Sequence, residues 1–309
     1  MYPLKFQSIY FLKIWGGRTL QLFRNNLPKG SIGESWDVAC HHNGTSIISN
    51  GKFKGMKLDD LIQIKGNELL GNTVSKYWFP LLVKLISTED MLSVQVHPDD
   101  TYAKNFEGEM GKNEAWYVLE AFEGANIIVG TKNCTKEQFL VALKNGVLDK
   151  YLNKIPVKKG DVFFIKSGLV HAIGKGIIIA EIQQNSDITY RVFDYNRGRE
   201  LHVAKALDVI DLSLKGEPCI CKEEEYDGYI KTPLCSCDKF TIDLIKVNTI
   251  FKERSDKDKF FIITCVEGQG KIKYSNGEET FSLGDSVLIP AYLGEYAVEG
   301  NIKFIKSQP

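Results

Sequence analysis

Short stretches rich in β-branched and aromatic residues recur along this chain, cut by Gly, Asn and Asp: TSIISN, LSVQVH, EAWYVLEA, NIIVGT, DVFFIKSG, GIIIAEIQQ, ITYRVFDY, FTIDLIKV, KFFIITCVEG and SVLIPA among them. Many short strands with frequent turn signals argue for a sandwich or barrel. Apolar spacing of three and four predicts helices near residues 55 to 71 and 134 to 152, and a further helix in LHVAKALDVIDLSL. The segment KGEPCICKEEEYDGYIKTP mixes Pro, Gly and charge and reads as a linker.

A weak internal repeat divides the chain. EGANIIVG with KKGDVFFIKSGLVHAIG resembles EGQGKIKYSNGEETFSLGDSVLIPAYLGEYAVEG. Each copy has a glycine-ended hairpin, then Gly-Asp, a hydrophobic strand and a Gly-containing turn. The first copy delivers His171 after that turn, whereas the second has Glu295 and Tyr296 nearby and no histidine. The expected division is residues 1–215, carrying the polar constellation, and 225–309, a degenerate copy. A core substitution in the second copy is expected to lower stability before it lowers metal affinity.

Lys plus Arg equals Asp plus Glu at 39 each, so no excess charge points to nucleic acid or an anionic membrane. The start, MYPLKFQSIYFLKIWGG, lacks the pattern of a secretory leader, and the aliphatic runs are too short to span a bilayer. Seven cysteines, an odd number spread over 309 residues, fit reduced thiols in the cytoplasm. Cys219 and Cys221, with Cys235 and Cys237, form C-x-C pairs. Structural zinc pairs usually hold two or more residues between cysteines, so these read as buried or loop thiols. The glycines of KIWGG and GKG precede no helix pattern and read as turns rather than a phosphate loop.

VQVHPDD, residues 94–100, poses the functional question. Positions two apart on a strand share a face, so Gln95 and His97 project together while Val94 and Val96 project away. Asp99 and Asp100 are expected to turn after Pro98. Glu114 opens NEAWYVLEA, and His171 follows FIKSGLV. Together these supply one amide, one carboxylate and two imidazoles, a donor set suited to Zn²⁺ and other divalent first-row metals. For each histidine alone a structural role is the simpler account. The order His, Glu, then Gly-Asp and Gly-x-x-His on β-hairpins follows the manner of a cupin, a small jelly roll with one metal inside. The amide of Gln95 favours a Lewis-acid metal over redox iron.

FLKIWGGRTL, IGESWDVACH, SVQVHPDD, KNEAWYVLEA, GLVHAIGKG and EIQQNSDITYRVFDYNR resemble, in order, the motifs of class I mannose-6-phosphate isomerase in its short prokaryotic form. The resemblance covers residues 11 to 197. It implies a mainly β protein of two cupin (jelly-roll) folds with a few helices added to the first, and a cytoplasmic enzyme interconverting mannose 6-phosphate and fructose 6-phosphate. It implies one zinc per chain held by Gln95, His97, Glu114 and His171, with Arg191 as the active-site arginine, in a monomer or homodimer. The chain is too short for the helical insertion of the long members.

Moving a proton between adjacent carbons through an enediol needs a base, an oxyanion stabiliser and a cationic grip on the phosphate. Lys112 and Arg191 are the candidate cations. Thr189, Arg191 and Phe193 are expected to share one strand face. Glu181 is a candidate substrate contact or proton carrier. Two other readings compete: another metal cupin enzyme, and a non-catalytic sugar-phosphate sensor. The retained metal positions and the two cations count against both.

Overall fold

The computed structural model describes residues 1–309. Antiparallel strands build two barrels, and the structure matches the expected mainly β class. In the first, a six-stranded sheet runs in the order Val162–Ile165, Glu114–Ala121, Ile177–Gln184, Leu81–Thr88, Ile32–Val38, Ile9–Gly17. It faces a five-stranded sheet in the order Leu152–Pro156, Asn126–Thr131, His171–Ile173, Val94–Val96, Tyr190–Phe193.

Period-two alternation decides what enters this barrel. On Glu114–Ala121, the side chains of Trp116 and Val118 join the interior cluster, whereas Ala115, Tyr117 and Leu119 join a cluster on the other face. On Ile177–Gln184, Ile177 and Ile179 go inward and Ile178, Ala180 and Ile182 outward. Glu114 and Glu181 therefore fall on the inward register, beside buried aromatics.

The second barrel continues a sheet from Glu224–Tyr226 through Tyr229–Ser236, Thr241–Val247, Ile302–Gln308 and Phe261–Tyr274 to Ser286–Ile289. The sheet is extended by the chain's own beginning, where Leu4 in the strand Leu4–Gln7 pairs with Leu288, and then by Ile47–Ile48, which pairs with Gln7 and Phe6. A cluster of 30 buried residues spans both barrels, with Leu81, Val83 and Ile178 meeting Phe240, Ile262 and Ile305. The two barrels share one core across their facing sheets.

The helices near residues 55 to 71 are Leu58–Lys65 and Asn67–Leu70, and the next is Lys136–Lys144. The latter opens with a reciprocal cap, in which Thr135 accepts from Gln138 N–H and Gln138 from Thr135 N–H. Two expectations need correcting. Asp99 does not simply turn the chain: its carboxylate accepts the Tyr102 N–H at 2.8 Å and caps the helix Asp100–Phe106. That helix lacks a sustained apolar stripe, which left it unreadable. The segment taken as linker is strand from Glu224 onward, forming a hairpin with Tyr229–Ser236. No helix is long and apolar enough to cross a membrane.

Phe304 is fully buried at the centre of the second barrel, against Phe251 and Phe281. Phe304→Ala is expected to cost about 3–5 kcal/mol of stability while metal content per folded chain stays unchanged. Thermal denaturation alongside elemental analysis checks this, and loss of metal from the folded variant would contradict it.

Candidate metal centre and active site

His97, Glu114 and His171 converge inside the first barrel, each about 1% exposed. His97 Nε2 lies 3.5 Å from Glu114 Oε2, and His171 Nε2 lies 3.5 Å from Glu114 Oε1. The far ring nitrogens are fixed by backbone carbonyls. His97 Nδ1–H donates to Ile188 O at 2.7 Å, and His171 Nδ1–H donates to Leu169 O at 2.9 Å. Both Nε2 lone pairs therefore aim at the same point as the carboxylate. His97 Nε2 is buried without a hydrogen-bond partner. A buried polar atom left so is costly, and this nitrogen together with the Glu114 carboxylate and His171 Nε2 around one point fits a divalent cation. Burial, then the nearby Lys112 charge, push the His97 imidazolium down to about 3, so the ring is a neutral donor at working pH.

Gln95 is the cross-strand partner of both His171 and Arg191. Its amide nitrogen is 3.3 Å from His171 Nε2, and its oxygen accepts from Ser93 Oγ at 3.4 Å. Turning the amide by 180° keeps its outline and brings the oxygen to the metal point.

Lys112 Nζ stands 3.0 Å from Glu114 Oε2. Burial would pull this ammonium down, but Glu114, Glu181 and Asp187 outweigh it and hold its pKa above the ordinary value. Its loop is closely fitted. Lys112 N–H donates to Pro98 O at 3.0 Å, and Gly111 N–H to Asp100 Oδ1 at 2.8 Å. A Cβ on Gly111 would stand 2.4 Å from Asp100 N, so glycine alone fits the approach. Lys239, from the second barrel, pairs with Asp100 Oδ2 at 2.7 Å, so that barrel braces the loop.

A polar cavity of about 250 Å³ opens beside these groups. Gln95, Lys112, His171, Glu181 and Arg191 all line it. Arg191 Nη1 donates to Glu200 O at 2.8 Å and Nε to Ser93 Oγ at 3.3 Å, both neutral partners. Thr189 also lines the cavity, but Phe193 does not follow it: a register shift between Arg191 and Phe193 turns Phe193 to the outer cluster. On the opposite wall Glu181 Oε2 accepts from Trp116 Nε1 at 2.9 Å. Burial and then the Glu114 charge push the Glu181 carboxyl up to about 7.

The sequence reading missed Lys84, Glu34, Asp187 and Arg199, which also line the cavity. Lys84 Nζ lies 3.7 Å from Glu181 Oε1, 3.7 Å from Asp187 Oδ1 and 3.9 Å from Glu34 Oε2. Burial would raise the Glu34 carboxyl, but Lys84 and Lys13 hold it down to about 2. Lys84 did leave a signal: it is the lone charge in the apolar run FPLLVKLIS. Arg199 sits in a loop, NRGRE, with no periodicity to mark it.

An antiparallel barrel with two imidazoles and a carboxylate clustered inside it, beside a polar cavity that His171 lines, defines a cupin-type barrel able to hold a metal. Family models match at residues 4–129, as the catalytic domain of type I phosphomannose isomerase, and at 230–309, as the mannose-6-phosphate isomerase cupin domain. Among curated relatives, mannose-6-phosphate isomerase ManA of Bacillus subtilis (strain 168) is 38% identical over 99% of this chain and 98% of that protein. The mannose-6-phosphate isomerase of Streptococcus mutans serotype c is also 38% identical, with the same coverage. The crystal structure of the mannose 6-phosphate isomerase from Bacillus subtilis superposes with a TM-score of 0.93 at 32% identity, covering 99% of both chains. The chain belongs to the mannose-6-phosphate isomerase family.

Proposed function

We propose that this protein interconverts mannose 6-phosphate and fructose 6-phosphate, using one zinc ion held by His97, Glu114 and His171 with Gln95 as a further ligand. The carrying observation is the buried, inward-aimed donor set, bordered at Gln95 and His171 by a cation-lined cavity, in a chain with full-length isomerase relatives. When bound, zinc would act as a Lewis acid on the sugar's carbonyl end.

The protein's own groups supply the rest. Glu181, with a carboxyl near neutrality in its titration, is suited to taking and returning a proton between adjacent carbons. Lys84, 3.7 Å from it, steadies its ionised form. Lys112 and Arg191 offer positive charge to the substrate's oxygens and phosphate. We assign the chemistry to residues 1–215 and give 225–309 a bracing role, through the shared core and Lys239. The seven free thiols fit a reducing, cytoplasmic setting.

The direct test is a coupled assay for fructose 6-phosphate formed from mannose 6-phosphate, with metal content measured on the same sample. A zinc-loaded protein that forms no product refutes the reading. Glu181→Gln keeps the shape and an acceptor for Trp116. It is expected to lower turnover by about 10²–10⁴-fold, the range for a lost acid–base group, with zinc retained. An unaltered pH–rate profile in that variant would remove Glu181 from proton transfer.

A further inference from the structure

A second group of donors lies on the first barrel, around a different cavity of about 290 Å³. The strands Cys40–His41 and Gly44–Thr45 form a hairpin that turns over His42 and Asn43. Neighbouring residues of a strand point to opposite sides. Here the turn breaks that rule and brings the His41 and His42 rings to one side, with centroids 4.1 Å apart.

Glu109, beyond the helix Asp100–Phe106, faces both. Its Oε2 is 3.4 Å from His41 Nε2, and its Oε1 is 3.6 Å from His42 Nε2. The corresponding spans at His97, Glu114 and His171 are both 3.5 Å. Donors bound at zinc–ligand lengths around a tetrahedral centre stand about 3.4 Å apart. Glu109 pairs with no lysine or arginine, only with these two histidines. The half-buried carboxylate thus faces two imidazole rings and no lysine or arginine.

We propose that His41, His42 and Glu109 form a second site for a divalent transition metal of the zinc class, separate from the cluster of His97, Glu114 and His171 and from the cavity that Glu181 lines. Imidazole and carboxylate donors select this class over calcium or magnesium. His42 is exposed, so the fourth position is open to water.

The hairpin sets both strength and consequence. Without metal, Asn43 N–H donates to His41 Nδ1 at 3.2 Å, so the neutral ring carries its proton on Nε2, toward Glu109. Metal at Nε2 requires that proton to pass through solvent to Nδ1, with no net release from His41. The Asn43 contact is then lost and the turn must relax. Binding is therefore weaker than at His97, Glu114 and His171. The Asn43 side chain also donates to Asp187 Oδ2 at 3.3 Å, and Asp187 lines the catalytic cavity.

The test is equilibrium dialysis of the full chain against buffered zinc, read by elemental analysis. Wild type should take two zinc ions per chain in two steps. His42→Ala and Glu109→Gln should lose the weaker step and keep the tighter one. His97→Ala should lose the tighter step and keep the weaker. His42 lies exposed on a turn, so His42→Ala is expected to fold, as its thermal transition after chelation would verify. Saturation of wild type at one zinc, or a second zinc surviving both His42→Ala and Glu109→Gln, overturns the proposal. Failure of the catalytic assignment looks different: His97→Ala would then lose no zinc.

Discussion

His97→Ala is expected to lose its tightly bound metal and nearly all isomerase activity. The expectation rests on how little else the cluster offers. His97, Glu114 and His171 are buried with no water-facing alternative donor, and both rings are already oriented by backbone carbonyls. Removing one imidazole leaves the Glu114 carboxylate beside Lys112, 3.0 Å away, an ion pair that competes with any returning cation. Loss of a pre-organised electrostatic group typically costs about 10²–10³ in turnover, and loss of the metal should exceed that. His171→Ala should behave alike. Calorimetry adds a second readout. A ligand that binds only the folded state stabilises it, by about 4 kcal/mol at a thousandfold excess over its dissociation constant. Added zinc should therefore raise the wild-type melting temperature and raise that of His97→Ala much less. A variant with one tightly bound zinc per chain and full activity would refute the ligand assignment.

Arg191→Lys is expected to keep its metal and lose turnover by about two to three orders of magnitude, the usual effect of removing a donor aimed at developing negative charge. Arg191 lies across the strand pair from Gln95, which itself pairs with His171, so its guanidinium belongs at the metal end of the cavity. Its present bonds go to Ser93 Oγ and the Glu200 carbonyl, with no direct ion pair to a carboxylate. Burial and the neighbouring Arg199 draw its pKa below the ordinary arginine value, yet arginine remains protonated at working pH and cannot be the base. Lysine keeps the charge but loses the planar fork that reaches two oxygens at once. A donor acting on the enediolate should affect turnover, whereas one that only grips phosphate should weaken substrate binding at constant turnover. Kinetic constants on a variant of confirmed zinc content separate the two, and unchanged turnover would take Arg191 off the reacting end.

The fold class was legible because it rests on local pattern, and the residues that cluster inside the first barrel were legible from the strands that carry them. Strand composition with turn residues marks an antiparallel β protein. His97, Glu114 and His171 are unusual residues for apolar strands, so they stand out where they occur. Helices with a capping signal or apolar spacing, such as Lys136–Lys144, were also readable. The helix Asp100–Phe106 was not, because its stabilisation comes from the Asp99 cap and from Asp100 and Tyr102 contacts made far along the chain.

Other features had no local signature. Ile177–Gln184 is buried along its whole length, so its sequence shows no alternation, and nothing in IIIAEIQQ says which face Glu181 takes. Only packing of the six-stranded sheet between the barrel interior and the second barrel decides it. Lys84 shares that ambiguity in FPLLVKLIS; its role depends on Glu34, Glu181 and Asp187 arriving from other segments. The register shift that turns Phe193 outward while Arg191 stays inward is likewise a property of strand pairing. By itself the sequence determined the strand-rich class, the family motifs and the candidate donor residues. The tertiary structure alone decided the shared core, the strand that Leu4–Gln7 lends to the second barrel's sheet and the charge network around Lys84. Composition and periodicity act within a few residues, whereas charge pairing and two-faced burial depend on segments distant in sequence meeting in one low-dielectric place.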